Sequence, residues 1–311
     1  MAHAHPLTGL DRKQLREAFE TFLPLPEGLE PHLEGALRQV LGNPGSLVRP
    51  QLVFQVATAY GVEATPATDL AVALEYFHTA SLIFDDLPCM DDANERRGAE
   101  CAHVTYGESG ALLAALGIIN RAYALAWRAV AACPANRQVK ALECLEHHLG
   151  VGGLLNGQSM DLHYATLVQD LKTTERVALG KTVSLVKLAI VLPAVLGGAD
   201  RDELQLLERI SLFWGLAYQI LDDLKDVMQS SAQTGKTAAR DFDLGRPNIA
   251  HILGVKAADQ RLQRMIANGE RALRRLLKRR PALEFLEMLR RDLQADRERL
   301  LSHADALRRS A

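Results

Sequence analysis

At 311 residues, 48% hydrophobic and 24% charged, the chain has the composition of a soluble globular protein, long enough for one large domain or two small ones. A net charge of −2 argues against a nucleic-acid partner, because such binders carry a strong basic balance. The four cysteines, Cys89, Cys101, Cys133 and Cys144, lack the spacing of zinc ligands and read as reduced thiols of a cytoplasmic protein. The opening MAHAHPLTGLDRKQ has no basic stretch followed by an apolar one, so no signal peptide is expected.

In chain order, turn-forming residues fall at Pro24 and Pro26, from Gly42 to Gly45, and at Pro66, Gly107, Pro134, Gly197 and Gly198, Gly245 to Pro247, and Pro281. The segments between them carry helical periodicity; Leu286, Leu289, Leu293, Leu300 and Leu307 paint one such stripe near the end. Period-two runs of β-branched residues are scarce, and no strand is expected. Two apolar stretches, Ala111 to Ala132 and Leu185 to Gly198, are interrupted by Arg121 and Arg128 and by Lys187 and Pro193. Neither offers the ~20 apolar residues of a transmembrane helix, so both read as buried helices. The simplest architecture is a single all-α domain over residues 1–311, a layered bundle of roughly a dozen helices.

The first chemical signal is AVALEYFHTASLIFDDLPCMDD, residues 71–92. Ala71, Leu74, His78, Leu82 and Asp85 form one helical face that ends on an acid, and Asp86, Asp91 and Asp92 follow around Pro88. Carboxylates crowded at the end of an apolar stripe repel one another and are costly to desolvate. A divalent cation relieves both, and Mg²⁺ typically bridges one or two carboxylates to phosphate oxygens. A solvated acidic helix end is the plainer reading of this cluster alone.

The second signal is WGLAYQILDDLKDV, residues 214–227. Gly215, Gln219, Asp222, Asp223 and Asp226 fall three and four apart, which predicts three acids on one face of a mostly buried helix. Such a helix calls for cations at that face, and two such helices suggest facing walls of one cavity. A carboxylate-bridged di-iron bundle would need Glu-x-x-His pairs, which both clusters lack; all-aspartate clusters favour Mg²⁺ and a phosphorylated substrate. A diphosphate also needs cationic donors. Arg49, Arg96, Arg97, Lys181 beside Thr182, Lys236 and Arg246 are available, with Lys181 the hardest to dismiss as a surface charge because its flanks are apolar.

These strings resemble the trans-isoprenyl diphosphate synthases, also called polyprenyl synthetases, and most of all the bacterial geranylgeranyl and farnesyl diphosphate synthases. DDLPCMDDANERRG followed by HVTYGE looks like the family's first aspartate-rich motif in its longer DDxxxxD form. YQILDDLKD is similar to the second motif, GLLNGQSMDL to the GxxxGQxxDL helix, and GKT to the Lys-Thr pair. The resemblance runs in order from about Gly45 to about Gly254.

It implies an isoprenoid-synthase helical bundle around a central cavity, a homodimer, and three Mg²⁺ ions. Asp85, Asp86, Asp91, Asp222, Asp223 and Asp226 would hold metal on the allylic diphosphate. Arg96, Lys181, Thr182, Gln219, Lys236 and Arg246 would join the substrate set on that side. Arg49, His78 and Arg97 would take the diphosphate of isopentenyl diphosphate. Small residues at Ala80 and Ser81 favour a C20 product over C15, unless Tyr76 or Phe77 closes the channel one turn deeper.

The pattern departs from the family at PGSLVRP, where Ser46 and Leu47 replace the lysine and first arginine of GGKRxRP; that lysine is a main ligand of isopentenyl diphosphate. This loss favours an alternative, a class I terpene synthase that ionises a prenyl diphosphate and cyclises or quenches it. A non-catalytic partner subunit ranks last, since both aspartate clusters are kept.

Overall fold

The computed structural model describes residues 11–228 and 245–310, with the side chains of 303–310 left aside. The helices gather into two compact units: residues 1–142 with 193–198, and residues 143–192 with 199–311.

In the first unit, α1 (Arg12–Thr21), α2 (Pro31–Gly42), α3 (Val48–Ala59), α4 (Ala64–Asp85) and α5 (Ala102–Ala131) lead into α6 (Ala135–Leu149), whose end belongs to the second unit. Helix α4 is the core element. From Leu70 through Ala80 it is buried on nearly every side, Glu75 and Thr79 included, as expected for a helix with neighbours all round. α3 and α5 pack on it, α1 packs against it, and α2 lies on α5. Gly107 takes φ 75° and kinks the first turns of α5, a conformation that only glycine adopts without strain.

One short element departs from the all-helical expectation. Glu95–Arg96 (β1) and Ala99–Glu100 (β2) pair antiparallel. Arg97 and Gly98 between them both have positive φ, 54° and 75°, the two-residue turn whose twist suits a hairpin. Strands of two residues carry no alternation to read, so ERRGAE gave no signal. The hairpin matters because it aims Arg96 and Arg97.

The second unit holds α7 (Leu154–Leu162), α8 (Leu171–Ala178), a π-helical turn (Leu179–Val183), α9 (Ser184–Gly197, whose end belongs to the first unit), α10 (Arg201–Met228), α11 (Ile249–Leu253), α12 (Val255–Leu277) and α13 (Glu287–Ser310). The long α10 is its spine, with α12 against its length. Trp214 on α10 lies on Gly269 of α12, where a Cβ would meet the indole at 2.2 Å, and the indole N–H donates to the Ile266 carbonyl at 3.3 Å. The leucine stripe is seen in α13, with Leu293 and Leu300 buried behind Leu286; Leu307 lies outside the described side chains.

Two segments, Ala102–Ala131 and Leu171–Gly197, are long and apolar enough to cross a membrane by length and composition, against the expectation from their interrupting charges. Their apolar windows are 44% and 67% buried within the protein, so packing accounts for much of that apolar surface. Trp127 is 55% exposed on α5.

Candidate active site

The first acidic cluster sits where α4 ends. Asp85 is its last residue, and Asp86 caps it with an N–H to the Leu82 carbonyl at 3.0 Å. Pro88 cannot continue the helix, and the chain folds back on itself. The Asp91 N–H reaches the Asp85 carbonyl at 2.9 Å and the Ala93 N–H reaches that of Asp86 at 3.1 Å. The four residues inside DDxxxxD therefore form a closed turn that returns Asp91 to Asp85. Asp92 holds φ 48°, one of three described non-glycine residues with positive φ; all three, with Leu47 and Arg97, lie in this unit. Backbone strain of that kind tends to collect at ligand sites.

The paired aspartates have different surroundings. Asp85 is half-buried, whereas Asp86 is 5% exposed. Both Asp86 oxygens accept from Arg96 Nε, at 2.6 and 2.8 Å, and Arg96 Nη2 stands 2.5 Å from Oδ1. Burial pulls the Arg96 guanidinium down, but the bonds and charge of Asp86 outweigh it and hold the group above its ordinary value.

A second group in this unit is cationic. Arg49 on α3 donates to Glu75 on α4 at 3.1 Å. Glu75 is 2% exposed; burial raises its pKa, opposed by the charges of Arg49 and Arg97. His78, one turn along α4, is pushed down to about 2 by burial first and then by Arg49, Arg97 and Arg96. It is neutral at physiological pH, and its Nδ1 is buried with no hydrogen-bond partner among the described residues. Arg49 and Arg97 thus act on one buried carboxylate, and with Arg96 they act on the unsatisfied imidazole one turn away. That makes Glu75, which the sequence reading did not single out, part of the site. Its signal was a lone acid three residues before His78 in an otherwise apolar helix.

The second acidic cluster lies near the end of α10. The expected single face of three acids is split: Asp222 is exposed, Asp226 half-buried, and Asp223 1% exposed. Adjacent helical residues point about 100° apart, so one of the two had to turn inward. Asp223 accepts from Gln219 Nε2 at 2.8 Å and from the Ile249 N–H at 2.7 Å, the first turn of α11. Asn248 donates to the Asp223 carbonyl at 3.2 Å. Thr182 donates to Gln219 Oε1 at 2.6 Å, so a chain of bonds runs from Thr182 through Gln219 to Asp223.

Lys181 and Thr182 belong to the π-helical turn, a distortion found often at functional sites. Gly157 makes its position attainable: a Cβ there would stand 2.3 Å from the Lys181 backbone nitrogen. Gly153 and Gly157 thus let α7 lie close to Gly180. Asp161, four residues past Gly157, receives Lys181 Nζ at 2.7 Å, with Arg246 Nε at 4.0 Å. Asp161 is a further site residue the sequence reading left unnamed, although it stands inside the GQSMDL string. Lys236 lies outside the described residues.

The donor set suits a hard cation. Among the described residues no three Asp, Glu, His or Cys side chains form a ready-made metal cage. Mg²⁺ takes one or two carboxylates and completes its shell with water and phosphate oxygens, so carboxylate pairs such as Asp85 with Asp91 fit it.

A model of the polyprenyl synthetase family matches residues 30–279. Geranylgeranyl pyrophosphate synthase 3 of Arabidopsis thaliana, a chloroplast protein, is 32% identical over 265 residues, covering 84% of this chain and 73% of its own. Among solved structures, geranyltransferase of Helicobacter pylori, complexed with magnesium and isoprenyl diphosphate, superposes with a TM-score of 0.76 at 28% identity, covering 93% of this chain and 96% of its own. Geranyltranstransferase of Thermotoga maritima gives a TM-score of 0.74 at 27% identity, covering 92% and 97%.

Proposed function

Because the chain belongs to the polyprenyl synthetase family, we propose that it is a short-chain trans-prenyltransferase joining an allylic diphosphate to isopentenyl diphosphate, with a C20 product. The observation that carries the reading is the pair of aspartate clusters, each presenting an outer acid backed by a buried one that is already bonded.

Asp85 and Asp91 in the first cluster, and Asp222 and Asp226 in the second, are the residues that would hold Mg²⁺ on the allylic diphosphate. Asp86 and Asp223 stand behind them and fix their helix ends. When bound, Mg²⁺ supplies Lewis acidity toward charge building on the departing diphosphate. Lys181 and Arg246, gathered by Asp161, add fixed positive charge for the same group. Ionisation breaks the allylic carbon–oxygen bond, and its electron pair leaves with the diphosphate. The double bond of isopentenyl diphosphate, held at Arg49, His78 and Arg97, attacks that carbon, and a proton passes to the released diphosphate. Apolar walls keep water from the cation.

Chain length follows from α4. Ala80 is buried and small, and Tyr76 is turned away: its hydroxyl donates to the Phe19 carbonyl at 2.7 Å. Phe77, edge-on to Tyr123 of α5 with ring centres 4.8 Å apart, is the residue left to end the channel. On α5, Leu112, Leu116, Tyr123 and Trp127 form an exposed apolar stripe at helical spacing. We assign it to a homodimer contact, so Leu116→Glu with Trp127→Glu is expected to give a monomer in sedimentation. The cellular setting we propose is cytoplasmic.

The alternative, a terpene synthase, is favoured by one observation: exposed Ser46 and buried Leu47 put no charge where the family has two cations. Purified protein with Mg²⁺ and geranyl, farnesyl or geranylgeranyl diphosphate, with and without labelled isopentenyl diphosphate, separates them. Label in a longer diphosphate ending at C20 supports the proposal. Hydrocarbon or alcohol formed without isopentenyl diphosphate overturns it.

A further inference from the structure

The loop between α2 and α3 is gripped by two guanidiniums. From the hairpin turn, Arg97 donates to the Asn43 carbonyl at 2.9 Å. Its side chain covers Gly45, where an added Cβ would meet the guanidinium carbon at 2.5 Å. From α1, Arg12 donates Nε and Nη2 to the Ser46 carbonyl at 3.0 and 2.5 Å. Arg49 follows three residues later, and His78 has Arg49, Arg97 and Arg96 as the charges acting on it. Against these cations stands the buried Glu75, which bonds Arg49. Positive charge is therefore in excess around this loop, which is the condition for holding an anion.

Arg12 is placed to add to it. Guanidinium carries five donors, and the Ser46 carbonyl engages only one edge, leaving others for a second acceptor. The same carbonyl fixes the side chain before any ligand arrives, which lowers the ordering cost of binding. Leu47, buried and left-handed at φ 53°, turns its own side chain into the core beside this point.

We infer that Arg12 binds the diphosphate of isopentenyl diphosphate, supplying from α1 the positive charge that Ser46 does not. The inference rests on the prenyltransferase reading above and concerns its second substrate. Arginine suits the task because its planar fork matches phosphate oxygens.

Isopentenyl diphosphate binding by calorimetry and steady-state kinetics on the full chain test it, using wild type, Arg12→Ala, and Arg12→Ala combined with Ser46→Lys. The expected result for Arg12→Ala is a KM for isopentenyl diphosphate raised roughly tenfold or more, as for loss of one charged hydrogen bond. The KM for the allylic substrate and kcat should stay within about twofold. Adding Ser46→Lys should bring the affinity back toward wild type, because it restores charge without restoring the bond to the loop. A purely structural Arg12 predicts a lowered melting temperature that lysine does not repair. An unchanged KM in Arg12→Ala, or no recovery with Ser46→Lys, overturns the inference while a wild type that elongates keeps the proposed function standing. A wild type that neither binds nor consumes isopentenyl diphosphate removes both.

Discussion

Asp86 and Asp223 hold the second place in their respective aspartate pairs, and both are buried, yet the described groups that bond them differ in kind. Asp86 faces a full positive charge, with both oxygens on Arg96. Among the described residues Asp223 accepts from dipoles, the Gln219 amide and the Ile249 N–H at the start of α11. The first arrangement ties a helix end to a hairpin; the second ties two helices through a side chain and a backbone group. The described bonds to one buried carboxylate are thus charged and those to the other neutral, and removing them has different consequences.

The largest effects are expected at the outer acids. Asp85→Ala and Asp222→Ala should each lower kcat by roughly 10²–10³-fold, the scale of losing one preorganised electrostatic contact to the developing charge. Melting temperatures should change little, since neither outer side chain is fully buried. Equal losses at both would mean that the clusters share the work; loss at one alone would break the symmetry.

The inner acids should instead show in stability. Asp86→Ala strands the half-buried Arg96, at a cost of about 3 kcal/mol, the lower end for breaking a buried pair. Replacing Arg96 with Met in the same chain should recover part of that loss. Asp223→Ala leaves Gln219 and the Ile249 N–H without an acceptor, costing about 2–3 kcal/mol, and no single second substitution should repair it. Urea unfolding of the three variants checks these losses, and no recovery of Asp86→Ala by Arg96→Met would contradict the distinction.

A smaller effect separates the units by pH. His78 is held far below its ordinary 6.5, at about 2, so the unfolded chain binds the proton more readily. Stability from keeping it neutral is fully present above pH 6.5 and declines as pH falls below it. His78→Asn should therefore lose stability less steeply than wild type between pH 6.5 and 4 in acid unfolding. Parallel curves would mean that His78 is not held neutral by its surroundings.

The smallest is Thr182→Val, which removes the bond to Gln219. It should cost about 1 kcal/mol and leave Asp223 bonded to Ile249.

Much of this was legible in residue spacing. Helical periodicity gave the class, and the three-and-four steps put His78 and Asp85 along α4. What spacing could not supply is the partner. Asp222 and Asp223 are equivalent as letters; only the return of the chain at Asn248 and Ile249, 25 and 26 residues later, makes one of them interior. Arg96 and Arg97 are likewise adjacent, and a two-residue hairpin turn sends one to Asp86 and the other to Asn43. Glu75 was hidden because a buried acid on an apolar helix shows its purpose only when Arg49, from another helix, is set beside it.

The most direct test of the division between outer and inner acids is the Mg²⁺ dependence of turnover in Asp85→Asn, Asp86→Asn, Asp222→Asn and Asp223→Asn. The account predicts that the first and third need far more Mg²⁺ at nearly unchanged melting temperature. The second and fourth should melt lower while keeping a wild-type Mg²⁺ requirement. A raised requirement at Asp86 or Asp223 in a fully stable protein would contradict it, and would return those two residues to the metal.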